Sequence, residues 1–208
     1  MTLTDEQIAA NREHFISLMN TITRPNCDLE GLGKHLINSN FFTAPASTIY
    51  HLACKGGLCQ HQLNVESIAQ KLNEMFGKPY SEETIRIVSL WHDFDKEDKY
   101  EQYFRNEKVY SPTGSKYDEM GKFDWRSVPA WKRRDDKDVF SIGTHGENSA
   151  YMLETFIPLS VEEHCAIINH HSVYDNNKLN VTGIYSKYHL ACLLHCADMM
   201  ATYICESE

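Results

Sequence analysis

Apolar residues recur at intervals of three and four along most of the chain, a pattern that predicts a helical protein. The clearest series is Leu58, His61, Val65, Ile68, Leu72 and Phe76. It begins after Gly56-Gly57 and ends before Gly77, a residue suited to closing a helix. A second run, from Ile85 to Trp91, is apolar around most of its circumference, so its helix should be central and buried.

Polar signals at the helix ends predict further helices on either side of these two. Thr4 with Gln7 and Ser160 with Glu163 each have the spacing of a capping box. Ser81 is a suitable N-cap for the Ile85 run. Helices are predicted from Thr4 to Arg24, over 28–40, from the residues after His145-Gly146-Glu147 to Pro158, from Ser160 to His170-His171, and through Leu190, Leu194, Asp198 and Ala201. Residues 172–185 read as a polar loop.

The helical pattern is interrupted over residues 97–140, which hold aromatic residues, scattered charges, Gly114, Gly121, Pro112 and Pro129. A structureless loop of that length is unusual in a compact domain. We therefore interpret the segment as an inserted loop or β-hairpin. The predicted fold is all-α, a single domain over 1–208 with one insertion.

Composition narrows the class of protein without naming a function. Charged residues make up 24% and hydrophobic residues 42% of the chain, as in ordinary globular proteins. A net charge of −9 argues against nonspecific binding to nucleic acid. Seven cysteines without a C-x-x-C pair suggest reduced thiols, and no signal peptide or apolar run of membrane-spanning length is present. These features predict a soluble cytoplasmic protein.

Several polar residues fall on faces that should be buried, in the order His61, His92-Asp93, His145, His170 or His171, Asp198. A buried carboxylate costs several kcal/mol unless it is paired or coordinated. A divalent cation would compensate Asp93, and imidazoles mixed with carboxylates suit Mn, Fe, Co, Ni or Zn better than Ca. The sequence therefore suggests a metal centre built from separate helices.

The residues around these positions resemble the HD superfamily of metal-dependent phosphohydrolases. Gly56-Gly57-Leu58 with His61 and Leu63-Asn64-Val65 is similar to the family's first-histidine helix, and Leu90 to Lys96 is similar to its HD segment. His195-Cys196-Ala197-Asp198 is similar to its last motif. A small HD subfamily of bacterial and phage genomes shares the 41–47 segment, the 121–125 segment, and His145-Gly146-Glu147. The resemblance covers about residues 12–202.

The resemblance implies a five-helix all-α core and a divalent metal held by His61, His92, Asp93 and Asp198. His145 with His170 or His171 matches relatives that hold two metals, with Asp93 bridging, and His170 is favoured over His171. The implied activity is hydrolysis of a nucleotide or related small phosphoester, as in a nucleotidase, a dNTP hydrolase or a cyclic-nucleotide phosphodiesterase. One or two ions of Mn, Fe, Co, Ni, Zn or Mg would serve as cofactor.

Catalytic roles beyond the metal ligands follow from position. Lys96 lies three residues after Asp93 and four after His92, so on a helix it would share their face and offer a charge to a phosphate. Glu147 and Asp95 are candidates for acid or base work, although Asp95 is equally compatible with an ordinary surface carboxylate. Lys132, Arg133 and Arg134 are candidates for contact with a polyanion, or for a solvated loop.

Three alternatives remain open at the level of sequence. HD-type di-iron oxygenases would use the same ligands with redox-active iron and O₂. A noncatalytic HD module would bind a nucleotide as a sensor. His145 would contact the substrate phosphate rather than a second metal if only one ion were bound.

Overall fold

The chain folds as a mostly helical body with one small sheet. A computed structural model describes residues 2–171 and 181–207, and within them about half of the residues are helical. The α-helices are α1 (Asp5–Met19), α2 (Leu29–Asn38), α3 (Gly57–Met75), α4 (Glu82–Trp91), α5 (His145–Glu154), α6 (Val161–Asn169), α7 (Val181–Lys187) and α8 (His189–Met200). The strands are β1 (Tyr100–Tyr110), β2 (Lys116–Asp118) and β3 (Gly121–Arg133).

The capping signals of the sequence correctly located the starts of α1, α4 and α6. Both predicted boxes are present, with Thr4 accepting from the Gln7 amide and Ser160 from the Glu163 amide. Ser81 caps α4 by accepting from the Thr84 amide. The predicted helix ends were less accurate. Helix α1 ends at Met19, before the predicted Arg24, and α5 ends at Glu154, before the predicted Pro158. Apolar spacing continues past the last helical hydrogen bond in both places.

The apolar run had suggested that the His92-Asp93 pair lies within a helix, but the pair follows the helix instead. Helix α4 ends at Trp91, His92 is its C-cap, and Asp93 precedes a short 3-10 turn from Phe94 to Lys96. The turn breaks the helical phase immediately after the buried run. Asp93 thereby reaches the centre of the molecule from the end of α4 rather than from its side.

The core is formed where α3, α4, α6 and α8 pack on one another. Trp91 and Phe15 are fully buried in it and make an edge-to-face contact with ring centroids 5.5 Å apart. Helix α3 begins against the 44–57 loop, where Gly57 leaves no room for a side chain. A Cβ there would lie 2.1 Å from the Leu52 carbonyl oxygen. The start of α3, and with it His61, is fixed by this close approach.

The predicted insertion over about 97–140 is a β-hairpin with a short third strand. Strand β3 lies in the middle and pairs antiparallel with β1 and with β2. Tyr100 pairs with Arg133 at the base, and Tyr110 pairs with Phe123 near the tip. The buried apolar core contains no residue of the sheet, so the hairpin is an appendage of the helical body.

Part of the predicted 172–185 loop is helical instead. Residues 172–180 lie outside the described residues, but α7 begins at Val181. Ile184, Tyr185 and Tyr188 pack against the core at intervals that fit a helix. The polar residues of 172–180 obscured that short pattern.

Two further observations concern the cysteines and membrane insertion. None of the seven cysteines, all of which lie within the described residues, forms a disulfide. Among the described residues, none of the helices combines the length and apolar character needed to cross a bilayer.

Candidate metal centre

The structure gathers all seven predicted metal-ligand residues in one place. His61 comes from α3, His92 and Asp93 from the end of α4, and Asp198 from α8. The remaining three are His145, the first residue of α5, and His170 and His171, which directly follow α6. Helix ends therefore supply most of the side chains, while α3 and α8 supply one each from inward faces.

Asp93 lies at the centre of this cluster, and its two carboxylate oxygens face different histidines. Oδ2 is 3.6 Å from His61 Nε2 and 3.5 Å from His92 Nε2. Oδ1 is 3.3 Å from His145 Nε2 and 3.5 Å from His170 Nε2. The cluster is thus divided into two halves that share one carboxylate.

The same ring nitrogen of each of these four histidines is occupied by an acceptor outside the cluster. His92 Nδ1 donates to the Ser89 carbonyl at 2.8 Å, and His170 Nδ1 donates to the Ile167 carbonyl at 2.6 Å. Nδ1 of His145 lies 3.0 Å from Asp95 Oδ1.

Glu206 accepts from His61 Nδ1 at 3.0 Å. Carbonyl and carboxylate oxygens can only accept, so Nδ1 carries the proton and Nε2 faces Asp93. Metal-binding histidines in proteins are held in this way.

Asp198 closes the first half of the cluster. Its Oδ1 lies 3.2 Å from His61 Nε2, and its Oδ2 lies 2.9 Å from His171 Nε2. His171 also packs against the rings of His145 and His170, with centroids 5.1 and 4.5 Å apart. The geometry places His170 on Asp93 and His171 on Asp198, so both histidines reach the cluster.

Burial and charge set the protonation of the central groups. Burial raises the pKa of Asp93, but the charge of Lys96, helped by the neighbouring imidazoles, holds that pKa well below its usual value. Burial lowers the pKa of His92 to about 4 and that of His170 to about 3. Asp93 is therefore a carboxylate, and the imidazoles of His92 and His170 that face it are neutral, which is the state in which metals bind these groups.

His61 differs because a carboxylate faces each of its nitrogens. Burial lowers its pKa, but the hydrogen bonds to Asp198 and Glu206 outweigh burial and raise the pKa to about 10. Without a cation, His61 therefore carries a proton on Nε2. A metal ion at that nitrogen must displace the proton, so metal binding is expected to weaken as the pH falls.

Asp93 has one close cationic partner, the Lys96 ammonium, which lies 2.7 Å from Oδ2. Both oxygens of Asp93 are buried, and neither accepts a hydrogen bond of acceptable geometry. Nε2 of His61 lies 3.3 Å from Nε2 of His92, and Nε2 of His145 lies 2.9 Å from Nε2 of His170. Two nitrogens bound to one cation at about 2.1 Å lie roughly 2.9–3.4 Å apart at tetrahedral or octahedral angles. The donors therefore fit a metal ion in each half.

Comparison with protein-family models, curated proteins and solved structures gives no match to this chain. The argument for function therefore depends on the motifs and on the geometry of the cluster. What the geometry establishes is that these buried histidines and aspartates can hold a metal ion.

The three residues proposed for catalysis have different environments. Besides its central position, Asp93 is paired with Lys96, whose Nζ lies 2.7 Å from Oδ2 although Lys96 leaves the 3-10 turn rather than a helix face. The side chain of Lys96 is only 12% exposed, which suits a cation directed at the cluster. Glu147 is exposed and accepts from the Thr144 amide in the capping box of α5. Its described contacts give it a structural role at the helix start.

Asp95 is not a surface carboxylate, contrary to one interpretation of the sequence. It is 2% exposed, and it binds His145 Nδ1 through Oδ1 and the Lys99 ammonium through Oδ2. Burial raises its pKa, but the hydrogen bond to His145 and the charge of Lys99 lower the pKa overall. Asp95 thus fixes the ring of His145.

Sequence reasoning missed Glu206 and His51. Glu206 is 4% exposed and reaches His61 from the π-helical turn Ala201–Cys205 that extends α8. His51 packs its ring on His61 with centroids 4.8 Å apart, and burial lowers its pKa to about 4. Neither residue follows a helical apolar face, so periodicity carries no signal for them.

A cleft of about 650 Å³ opens beside the cluster. His51, His171 and Glu206 line it, together with Tyr50 and Tyr203. Its volume is typical of sites for small ligands, which span roughly 300–1,000 Å³. A substrate in this cleft would lie against residues that contact His61 and Asp198.

Proposed function

We propose that this protein is a metal-dependent phosphohydrolase of the HD type, acting on a nucleotide or a related phosphoester. The observation that carries the proposal is the division of Asp93 between two pairs of imidazoles, with Lys96 at its edge. Two-metal hydrolytic sites require a bridging ligand and ions about 3.5–4 Å apart. The order of the HD-like motifs supports the same class.

In this proposal, His61, His92, Asp198 and Asp93 Oδ2 hold one ion, and His145, His170 and Asp93 Oδ1 hold the other. The imidazole-rich set favours Mn, Fe, Co, Ni or Zn. Divalent ions of this kind supply Lewis acidity toward phosphoryl oxygens and lower the pKa of water toward neutrality.

The residues of the chain supply the remaining requirements of phosphoester hydrolysis. Lys96 offers an ammonium group to a phosphoryl oxygen, because the Asp93 charge raises its pKa and keeps it protonated. Asp95 and Glu206 hold the rings of His145 and His61 in place. The cleft beside His171 and Glu206 accommodates the remainder of the substrate.

The test is metal analysis of the purified protein combined with a hydrolysis panel of mono-, tri- and cyclic nucleotides with Mn, Co, Ni, Zn and Mg. Wild type should hold two ions per chain and release phosphate or nucleoside. Asp93→Ala should lose both ions and all turnover while retaining its helical circular dichroism. His145→Ala should retain one ion and lose turnover, since only the second half of the cluster is removed.

Full metal occupancy in Asp93→Ala would contradict the proposal. If no phosphoester is cleaved, and iron with O₂ instead drives oxidation of a substrate, the same ligands serve a di-iron oxygenase. Weakened substrate binding in His145→Ala, with one ion in both variant and wild type, would show that His145 contacts substrate instead.

A further inference from the structure

The β-hairpin has two chemically different faces, which the strand register defines. Residues directly opposite each other in an antiparallel pair lie on the same face of the sheet. Phe104 pairs with Pro129, Lys108 with Trp125, and Tyr110 with Phe123. Even-numbered residues of β1 and odd-numbered residues of β3 therefore share one face.

That face carries most of the aromatic residues of the hairpin, and we term it the aromatic face. Its aromatic members are Tyr100, Phe104, Tyr110, Phe123, Trp125 and Trp131. Phe104 is 69% exposed and Trp125 is 49% exposed. Large aromatic side chains exposed on an ordered sheet commonly mark a binding surface.

Charge on the aromatic face is predominantly positive. Lys108, Lys116 and Arg133 lie on it by the same register, and Asp118 is its one acidic residue. Asp118 is occupied by hydrogen bonds from Lys108 and from the Tyr110 hydroxyl. The ammonium of Lys108 lies 4.5 Å from the Phe123 ring centroid, so cation and rings form one surface.

The hairpin as a whole differs in sign from the rest of the chain. Residues 100–133 contain seven Lys and Arg against five Asp and Glu, a net charge of +2. The whole chain carries −9, so the remainder carries −11. The total charge, which argued against nucleic acid, averages over two regions of opposite sign.

The base of the aromatic face adjoins the metal centre. Tyr100 begins β1 four residues after Lys96. Its chain neighbour Lys99 pairs with Asp95, which lies 3.0 Å from Nδ1 of His145. The base of the face therefore lies beside residues that support the cluster.

We propose that the aromatic face binds single-stranded nucleic acid and leads the strand to the metal centre, the second part resting on the proposed function. Bases would stack on Phe104 and Trp125, and phosphates would lie along Lys108 and Lys116. Proteins that bind single strands without sequence preference combine these two elements, an aromatic platform and a cationic path. Two copies of this chain would oppose like charges if they met through this face, which disfavours self-association there.

Binding is tested by fluorescence anisotropy with fluorescein-labelled twelve-nucleotide dT and rU strands, using Asp93→Ala protein in EDTA so that no cleavage occurs. Phe104→Ala and Trp125→Ala should each weaken binding by about tenfold, since one stacked base contributes about 1–3 kcal/mol. Tyr117→Ala is the matched control, because Tyr117 is 77% exposed and lies on the opposite face. Two phosphate contacts predict a slope of log K against log salt of about −1.4.

Equal loss in Tyr117→Ala, no effect of Phe104→Ala and Trp125→Ala, or no binding of either strand would overturn the proposal. Concentration-dependent dimerisation that Trp125→Ala abolishes, without strand binding, would assign the face to a second copy and would also overturn it. A preference for rU over dT, or the reverse, would identify RNA or DNA as the bound strand, and either result would support the proposal.

The proposed hydrolysis is separated from strand binding with a small substrate. Wild type with Mn should cleave bis(p-nitrophenyl) phosphate, which is too small to span the sheet, and Trp125→Ala should leave that rate unchanged. On an oligonucleotide, Trp125→Ala should raise KM and leave kcat unchanged. Strand binding without any hydrolysis would support the binding role of the aromatic face and refute the proposed function. Hydrolysis without strand binding would support the proposed function and refute the binding role of the aromatic face.

Discussion

At the scale of single residues, the candidate metal centre depends on backbone and side-chain groups that would not themselves touch a metal. Ser89 and Ile167 use backbone carbonyls to hold His92 and His170, and these acceptors cannot be removed by mutation. Asp95 and Glu206 use carboxylates to hold His145 and His61. The contribution of these supporting groups to metal binding can therefore be measured by substitution only at Asp95 and Glu206.

Glu206→Ala is expected to lower the affinity for Mn²⁺ by about 10–100-fold, the range for removing a group that orients a histidine ligand. Glu206→Gln should have a smaller effect, since an amide oxygen still accepts from His61 Nδ1. Calorimetric titration of the metal-free protein measures both, with Ser207→Ala, an exposed neighbour, as control. Wild-type affinity in Glu206→Ala would exclude a positioning role.

At the scale of elements, an ion pair joins the segment after α1 to α6. Arg24, in the segment after α1, forms two hydrogen bonds to the Glu163 carboxylate at 2.7 and 2.6 Å. The Glu163 side chain is 1% exposed and also receives the Ser160 amide in the capping box of α6. The pair fixes the start of the helix whose other end presents His170.

Glu163→Gln retains the capping box but removes the charge, and should lower the free energy of unfolding by about 2–3 kcal/mol, because the partly buried Arg24 keeps only its longer contact with Glu83, at 3.7 Å. Urea denaturation measures the change. Glu30→Gln is the control, since the Lys34–Glu30 pair is exposed and should contribute less than about 0.5 kcal/mol. A similar effect of both substitutions would contradict the argument.

The pH dependence of this pair has a definite sign. Burial raises the pKa of Glu163, but Arg24 and the Ser160 amide lower it overall below its ordinary 4.5. A lowered pKa in the folded state stabilises the protein above pH 4.5, and the contribution disappears as the pH falls through the folded value. The difference between wild type and Glu163→Gln should therefore shrink in acid.

At the scale of the whole molecule, the hydrogen bonds described between the hairpin and the helical body lie near the base of the sheet. Tyr100 and Arg133 are cross-strand partners, and the Arg134 amide donates to the Lys99 carbonyl at 2.9 Å just below them. The apolar core lies entirely in the helical body. The body should therefore fold without the sheet.

Replacing residues 101–132 with an Asn-Gly turn joins Tyr100 to Arg133 at the distance of a tight hairpin. The shortened protein should keep its helical circular dichroism, the wild-type number of bound metal ions and turnover of a small phosphodiester. It should lose oligonucleotide binding. Loss of metal from a variant that remains helical would show that the sheet supports the centre directly.

The sequence by itself determined most of the helices and which seven residues the cluster gathers. Capping boxes at Thr4 and Ser160 act through hydrogen bonds within four residues, so they can be recognised without tertiary contacts. His61 could be recognised as a candidate ligand because it lies on the apolar face of α3. The same logic placed Asp198 inward on α8.

Only the tertiary structure decided how those residues meet. The 3-10 turn that directs Asp93 into the cluster, the burial of Asp95 and the arrival of Glu206 at His61 depend on contacts between distant segments. Glu206 is 145 residues from His61, and no local pattern relates two residues at that separation. The sheet faces likewise became definable only through strand register, because shifting the pairing by one residue would exchange the aromatic face with its opposite.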